Sequence, residues 1–123
     1  MMKVSRLPYA ETIAESSSAI TGHSNRIFAT IDQAAAAESV GLSLRPTTLI
    51  VFGNPIGGTP LMQAVPPIAL ELPLKLLVWE ENGVVKVAYT TMSEIATRYG
   101  VVGFEHQITA IDQALDALTS AVA

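Results

Sequence analysis

Asp32, Asn54 and Thr59, with Gly57 and Gly58 between the last two, are the residues of this sequence whose types and spacing point most directly to chemistry. A glycine-rich turn that leaves an apolar strand and enters a helix can offer several backbone amides to an anion, and the start of the helix adds partial positive charge. Glycine also lets the main chain approach a ligand closely. Asp32 ends one candidate strand and Asn54 follows another. If those strands are parallel neighbours, Asp32, Asn54 and Thr59 converge at one sheet edge, where Asp32 could orient a hydroxyl or ammonium group. A small anionic metabolite, a carboxylate or phosphate, is the ligand such a site would take. Plainer roles stand beside these: a simple strand-to-helix turn, Asp32 as the cap of an Ala-rich helix, and Thr59 capping a helix that begins at Pro60.

Other chemistries lack their residues. Gly53 and Gly58 have the spacing of a nucleotide-binding P-loop, but Thr59-Pro60 stands where Lys and then Ser or Thr must follow. There is no Cys, which excludes thiolate metal sites, disulfides and cysteine nucleophiles. His23 and His106 have no second ligand or acid at a catalytic or metal-binding spacing, so each reads as a surface residue and no metal or cofactor is expected. Glu71 lies between apolar neighbours and would need a partner if buried. Trp79 and Lys86 are placed for a cross-strand cation–π contact.

The elements that would position these groups follow from pattern. Lys3–Leu7 reads as a short edge strand, and Tyr9–Thr21 as a helix weakened by three consecutive serines and followed by Gly22. Arg26–Asp32 is a strand, and Gln33–Val40 a short Ala-rich helix closed by Gly41. Thr47–Phe52 is apolar on both alternating faces, as an interior strand should be. The helix after it is broken near Pro66-Pro67. Leu74–Glu81 and Val84–Thr90 form a hairpin around Asn82-Gly83, a pair suited to a type I′ turn. That register sets Val78 opposite Val87 and Trp79 opposite Lys86, and places Leu74, Leu76, Val78, Val85, Val87 and Tyr89 on one face. Ser93–Tyr99 reads as a short helix ended by Gly100. Phe104, Ile108, Ile111, Leu115, Leu118 and Val122 then mark one stripe of a long C-terminal helix.

At 123 residues and 13.0 kDa, half apolar and 15% charged, the chain has the size and composition of one folded domain, residues 1–123. A net charge of −4 with thinly spread basic residues argues against nucleic acid. The charge-free stretch from Pro46 to Leu70 holds five prolines and three glycines, so it cannot run as a membrane helix. No signal-peptide core precedes the first charges, so a cytoplasmic protein with no membrane partner is expected.

Ile31-Asp32, Ala35-Ala36-Ala37-Glu38, Leu49–Pro55, Gly58–Met62, Leu72–Lys75 and Tyr89 together resemble the bacterial and archaeal family known as domain of unknown function 302, over nearly the whole chain. The resemblance implies an α+β fold similar to that of the TATA-binding protein, with helices packed on a curved, antiparallel-rich sheet, commonly as a homodimer. It weakens the parallel-strand condition placed on Asp32 and Asn54. The family pattern usually has His after the Asp that ends the second strand, where this sequence has Gln33. An amide neither titrates near neutral pH nor binds transition metals well, so no acid–base or metal role carries over through that position.

A small binding or accessory module holding an anionic metabolite at Gly53–Thr59 is the expected function. A hydrolase-like or isomerase-like enzyme using Asp32, and a structural homodimer within a larger assembly, are the alternatives. A homodimer is also expected on physical grounds. The Leu61–Leu72 segment and the Leu77/Trp79 face offer more apolar surface than one C-terminal helix covers.

Overall fold

The computed structural model describes residues 1–123. It holds five strands and five α-helices: β1 (Met2–Val4), α1 (Tyr9–Gly22), β2 (Arg26–Asp32), α2 (Gln33–Glu38), β3 (Thr47–Gly53), α3 (Pro55–Ala64), β4 (Leu74–Glu81), β5 (Val84–Ala88), α4 (Met92–Arg98) and α5 (Glu105–Ser120). A 3₁₀ turn, Pro66–Leu70, joins α3 to the β4 approach. The strands form one sheet in the order β1-β5-β4-β3-β2, with every pairing antiparallel. This is the α+β, antiparallel-rich single domain expected. β1 is shorter than the Lys3–Leu7 strand read from pattern and begins one residue earlier.

The β4–β5 hairpin is built as its turn residues dictate. Asn82 and Gly83 both have positive φ, 52° and 78°, and the register pairs Val78 with Val87 and Trp79 with Lys86. The cation–ring contact lies elsewhere, however: the Arg26 guanidinium sits 5.8 Å from the centre of the Phe28 ring.

Ile50 and Phe52 of β3, Leu76 and Val78 of β4, and Val85 and Val87 of β5 turn one face of the sheet toward Ile20 of α1 and Leu115, Leu118 and Val122 at the end of the chain. These residues belong to one cluster of 11 buried side chains. The α5 stripe read from spacing is the one that packs. Polar contacts anchor α1: the Tyr9 hydroxyl lies 2.6 Å from the Thr48 hydroxyl of β3, and the Ser5 hydroxyl, in the connection after β1, 2.6 Å from that of Thr12. Ser16, one of the three consecutive serines, is buried with no hydrogen-bond partner for its hydroxyl. A second cluster of four buried residues, Leu61, Ile68, Met92 and Ile95, is formed by α3, the 3₁₀ turn and α4. Leu74 and Ile111 pack against both clusters and mark the seam between them.

Candidate functional site

The segment after β3 is helix where a flexible turn was expected. Asn54 is the cap: its carboxamide oxygen accepts from the Ile56 amide at 2.9 Å, and Pro55 takes the first helical position. Gly57 and Gly58 therefore lie inside α3, neither with positive φ, and Thr59 and Pro60 follow in its interior rather than opening it. The backbone oxygen of Asn54 accepts from the amides of both Gly57 (3.0 Å) and Gly58 (2.9 Å). Pro55 has no N–H. The donors that an anion would need at this helix start are already engaged, and the amide cradle expected there does not exist.

Asp32 lies elsewhere. β2 runs antiparallel to β3, with Asp32 opposite Thr48 and Arg26 opposite Gly53. Asp32 and Asn54 thus stand at opposite ends of the sheet, about 20 Å apart at roughly 3.4 Å per strand residue. Their expected convergence required parallel strands, which the sheet does not have. The Asp32 carboxylate instead accepts from the Ala35 amide at 2.9 Å and caps α2.

What the structure does bring together is Asn54, Gly57, Gly58 and Thr59 with the facing side of α5, around a cavity of about 350 Å³ at the seam between the two clusters. Its walls come from several parts of the chain. α3 and its cap supply Asn54, the two glycines, Thr59, Leu61 and Met62. α5 supplies Ala110, Ile111, Ala114, Leu115 and Leu118, and the approach to β4 supplies Leu72, Pro73 and Leu74. The α1–β2 connection and the edge strand add His23, Asn25 and Phe28. Gly53 and Pro55, with the fully buried Phe52 and Met92, complete the walls.

The void has a local cause. Gly57 and Gly58 on α3 and Ala110 and Ala114 on α5 present almost no side chain where two helices would otherwise fill the seam. A Cβ built on Gly58 would meet Met62 Cε at 3.8 Å and Leu72 Cδ1 at 3.9 Å, ordinary contact distances, and one on Gly57 meets nothing within 4 Å. The Cβ of Gly53 would approach Pro73 at 3.6 Å and the Phe28 ring at 3.9 Å.

Two polar clusters fix the cavity's surroundings without entering it. Asp112 of α5 accepts from the backbone amides of Met92 (2.6 Å) and Ser93 (3.1 Å) and from the Ser93 hydroxyl, so it caps α4 from another helix and holds Met92 in place. Glu71, next to the wall residue Leu72, receives hydrogen bonds from the Tyr99 hydroxyl at 3.0 Å and Arg98 Nη1 at 3.1 Å. The Tyr99 hydrogen bond, with help from Arg98, holds the Glu71 carboxyl below its ordinary range, and desolvation with Glu71 beside it pushes the Tyr99 phenol up. Glu71 has the partners its apolar surroundings require.

No Asp, Glu, Lys or Arg lines the cavity. The polar groups at its walls are those of His23, Asn25, Asn54 and Thr59. His23, read as a surface residue, is indeed exposed, with Nδ1 2.8 Å from the Ala19 carbonyl oxygen, but it also borders this cavity. Phe28, Met62, Leu72 and the α5 alanines were missed as site residues. The alanine pair four residues apart beside the Ile111/Leu115/Leu118 stripe was the available signal. No group of three metal-binding side chains occurs, and no helix is long and apolar enough to cross a membrane.

Comparison with known proteins agrees with this architecture. The fluoride-specific ion channel FluC 1 of Brucella suis is 42% identical over 78 residues, which are 63% of this chain but 31% of that protein. FluC 2 of Brucella melitensis matches at 42% over 78 residues, 29% of its length. The chain thus spans about three-tenths of the curated relatives it matches. An uncharacterized conserved protein from Bacillus stearothermophilus has the same fold, with a TM-score of 0.91 at 16% identity, covering 100% of this chain and 97% of its own. The family described as domain of unknown function DUF302 matches residues 1–122, and the chain belongs to that family.

Proposed function

We propose that this chain is a small cytoplasmic accessory domain whose α3–α5 cavity holds a small molecule. The observation that carries this reading is the cavity itself. About 350 Å³ lies within the range of small-molecule sites, and its mostly apolar walls with a few polar groups have the composition such sites favour. The accessory role draws support from the Brucella relatives, where the matching stretch is a minor part of a longer chain bearing the name of a fluoride channel. An enzyme working through Asp32 has no support from the geometry, since that carboxylate caps α2 far from the cavity. A ligand-observed NMR screen of neutral and charged fragments tests the proposal, run on wild type and on an Ala110→Trp variant that narrows the mouth at an exposed position. Hits that bind wild type and fade in the variant are expected. No hits, or hits indifferent to the variant, would overturn it.

A homodimer is the second part of the proposal, and a specific edge supports it. β2 is a seven-residue edge strand with Phe28 47% and Ile31 39% exposed, and the chain beyond α2 exposes Val40 and Leu42 at 72% and 66%. Unpaired, largely uncharged edges invite another strand. A two-fold antiparallel pairing would also bring Arg26 at one end of β2 toward Asp32 of the other copy. Light scattering should then give twice 13.0 kDa for wild type, and the monomer mass for Ile31→Lys with unchanged circular dichroism. A monomeric wild type rejects the dimer.

A further inference from the structure

We infer that the ligand of this cavity is a neutral, compact, mainly apolar molecule carrying one hydrogen-bonding group, an alcohol, lactone or ketone rather than an acid or an amine. The inference rests on the cavity reading above and adds the ligand's charge, size and orientation.

Charge is decided by what the walls lack. A carboxylate or ammonium group drawn out of water needs an opposite charge or a full set of hydrogen bonds, and without them its burial costs far more than that of a neutral polar group. The cavity has no Asp, Glu, Lys or Arg to supply either sign, and its one histidine, His23, is an exposed residue at its border with Nδ1 2.8 Å from the Ala19 carbonyl oxygen. The alternative source of positive potential, the start of α3, has its first free amides bonded to Asn54, through Oδ1 at 2.9 Å and the backbone oxygen at 3.0 and 2.9 Å. An anion would meet a helix end whose backbone donors are occupied.

Size follows from volume. At about 350 Å³ the cavity lies at the small end of small-molecule sites, which suits a compact ligand. Orientation follows from where the polarity sits. Leu115, Leu118, Phe52 and Met92 are fully buried and form a dry inner wall. Asn54 is half-buried at the α3 cap, and its engaged carboxamide oxygen leaves an NH₂ group with two donors. Thr59, an exposed residue five positions on, adds a hydroxyl. The Asn25 side-chain NH₂ is given to the Ile20 and His23 carbonyl oxygens and His23 Nδ1 lies 2.8 Å from the Ala19 carbonyl oxygen, so the ligand's oxygen belongs at the Asn54/Thr59 side and its hydrocarbon part between α5 and the sheet.

Isothermal titration of the full chain at pH 8 with 1-octanol, octanoate and octylamine tests this, since the three share a chain and differ in charge. The expected result is binding of octanol at least tenfold tighter than of either ion, with Ala114→Phe and the more exposed Ala110→Trp each weakening octanol tenfold or more while circular dichroism stays unchanged. An Asn54→Asp variant, which keeps the cap oxygen and removes the NH₂, should weaken octanol several-fold. Octanoate or octylamine binding as tightly as octanol would overturn the inference and leave the cavity reading standing. Failure of all three to bind would overturn both.

Discussion

The molecule contains two apolar regions that differ in how completely they are filled. Between the sheet and helices α1 and α5, large branched and aromatic side chains meet at nearly every facing position, and 11 of them are buried in one cluster. Between α3, the 3₁₀ turn and α4 only four are. There α3 carries two glycines and an internal proline and gives way to Pro66-Pro67, while α5 brings Ala110 and Ala114 to the cavity beside Ile111. The first region holds the fold. The second keeps its backbone in place and leaves volume open, which is the arrangement a binding site needs: a packed scaffold beside a gap whose walls do not collapse.

The largest expected effect separates the two regions directly. Leu76→Ala removes a fully buried side chain from the main cluster away from the cavity and should cost about 4–5 kcal/mol, whereas Leu61→Ala beside the existing void should fall near the low end of the usual range, about 2 kcal/mol. Denaturant unfolding of both variants checks this. Equal losses would mean that the second region is packed as tightly as the first.

A smaller effect is expected at the joint between α4 and α5. Asp112→Ala removes the acceptor of two backbone amides and a hydroxyl at the start of α4. It should cost about 1–2 kcal/mol, the scale of a lost helix cap. Hydrogen exchange should show α4 amides opening first, and a uniform rise across the sheet would contradict the assignment.

At Gly57 the sign is the informative quantity. Because the residue is helical and a Cβ there meets nothing within 4 Å, Gly57→Ala should stabilise the domain by about 0.5–1 kcal/mol. A lower melting temperature would restore the flexible-turn reading.

The smallest effect concerns pH. Glu71 has its folded pKa lowered by Tyr99 and Arg98, so its contribution to stability is fully present above the ordinary value of 4.5 and disappears as pH falls through the lower folded value. Glu71→Gln should flatten the acid limb of the stability profile below about pH 4.5 and leave its slope near neutrality unchanged. Identical acid limbs would reject the role.

Much of this was legible in the residues. Asn82-Gly83 specified its turn and thereby the whole register of β4 and β5, and steps of three and four from Phe104 to Val122 marked the buried stripe of α5. Local patterns of that kind contain their own geometry. The start of α3 was misread because two residues competed for one capping role: Thr59-Pro60 has the form of a helix start, but Asn54-Pro55 has it five residues earlier and prevails. The cavity was only half legible. Asn54, Gly57, Gly58 and Thr59 do border it, while the opposite wall comes from α5, more than 50 positions later in the chain. Asp32 was drawn in by an assumption about strand direction that no local signal could decide. The Asp112 cap was invisible for the same reason, since it joins two helices in space.

The central claim, that the α3–α5 cavity takes a small neutral ligand, is tested most directly by the methionine methyl groups. The chain has four: Met62 and Met92 line the cavity, and Met1 and Met2 lie at the far edge of the sheet by β5. In a ¹³C-methyl methionine spectrum titrated with 1-octanol, the account predicts saturable shifts of Met62 and Met92 while Met1 and Met2 stay fixed. Shifts confined to Met1 and Met2, or no shift at any of the four, would contradict it.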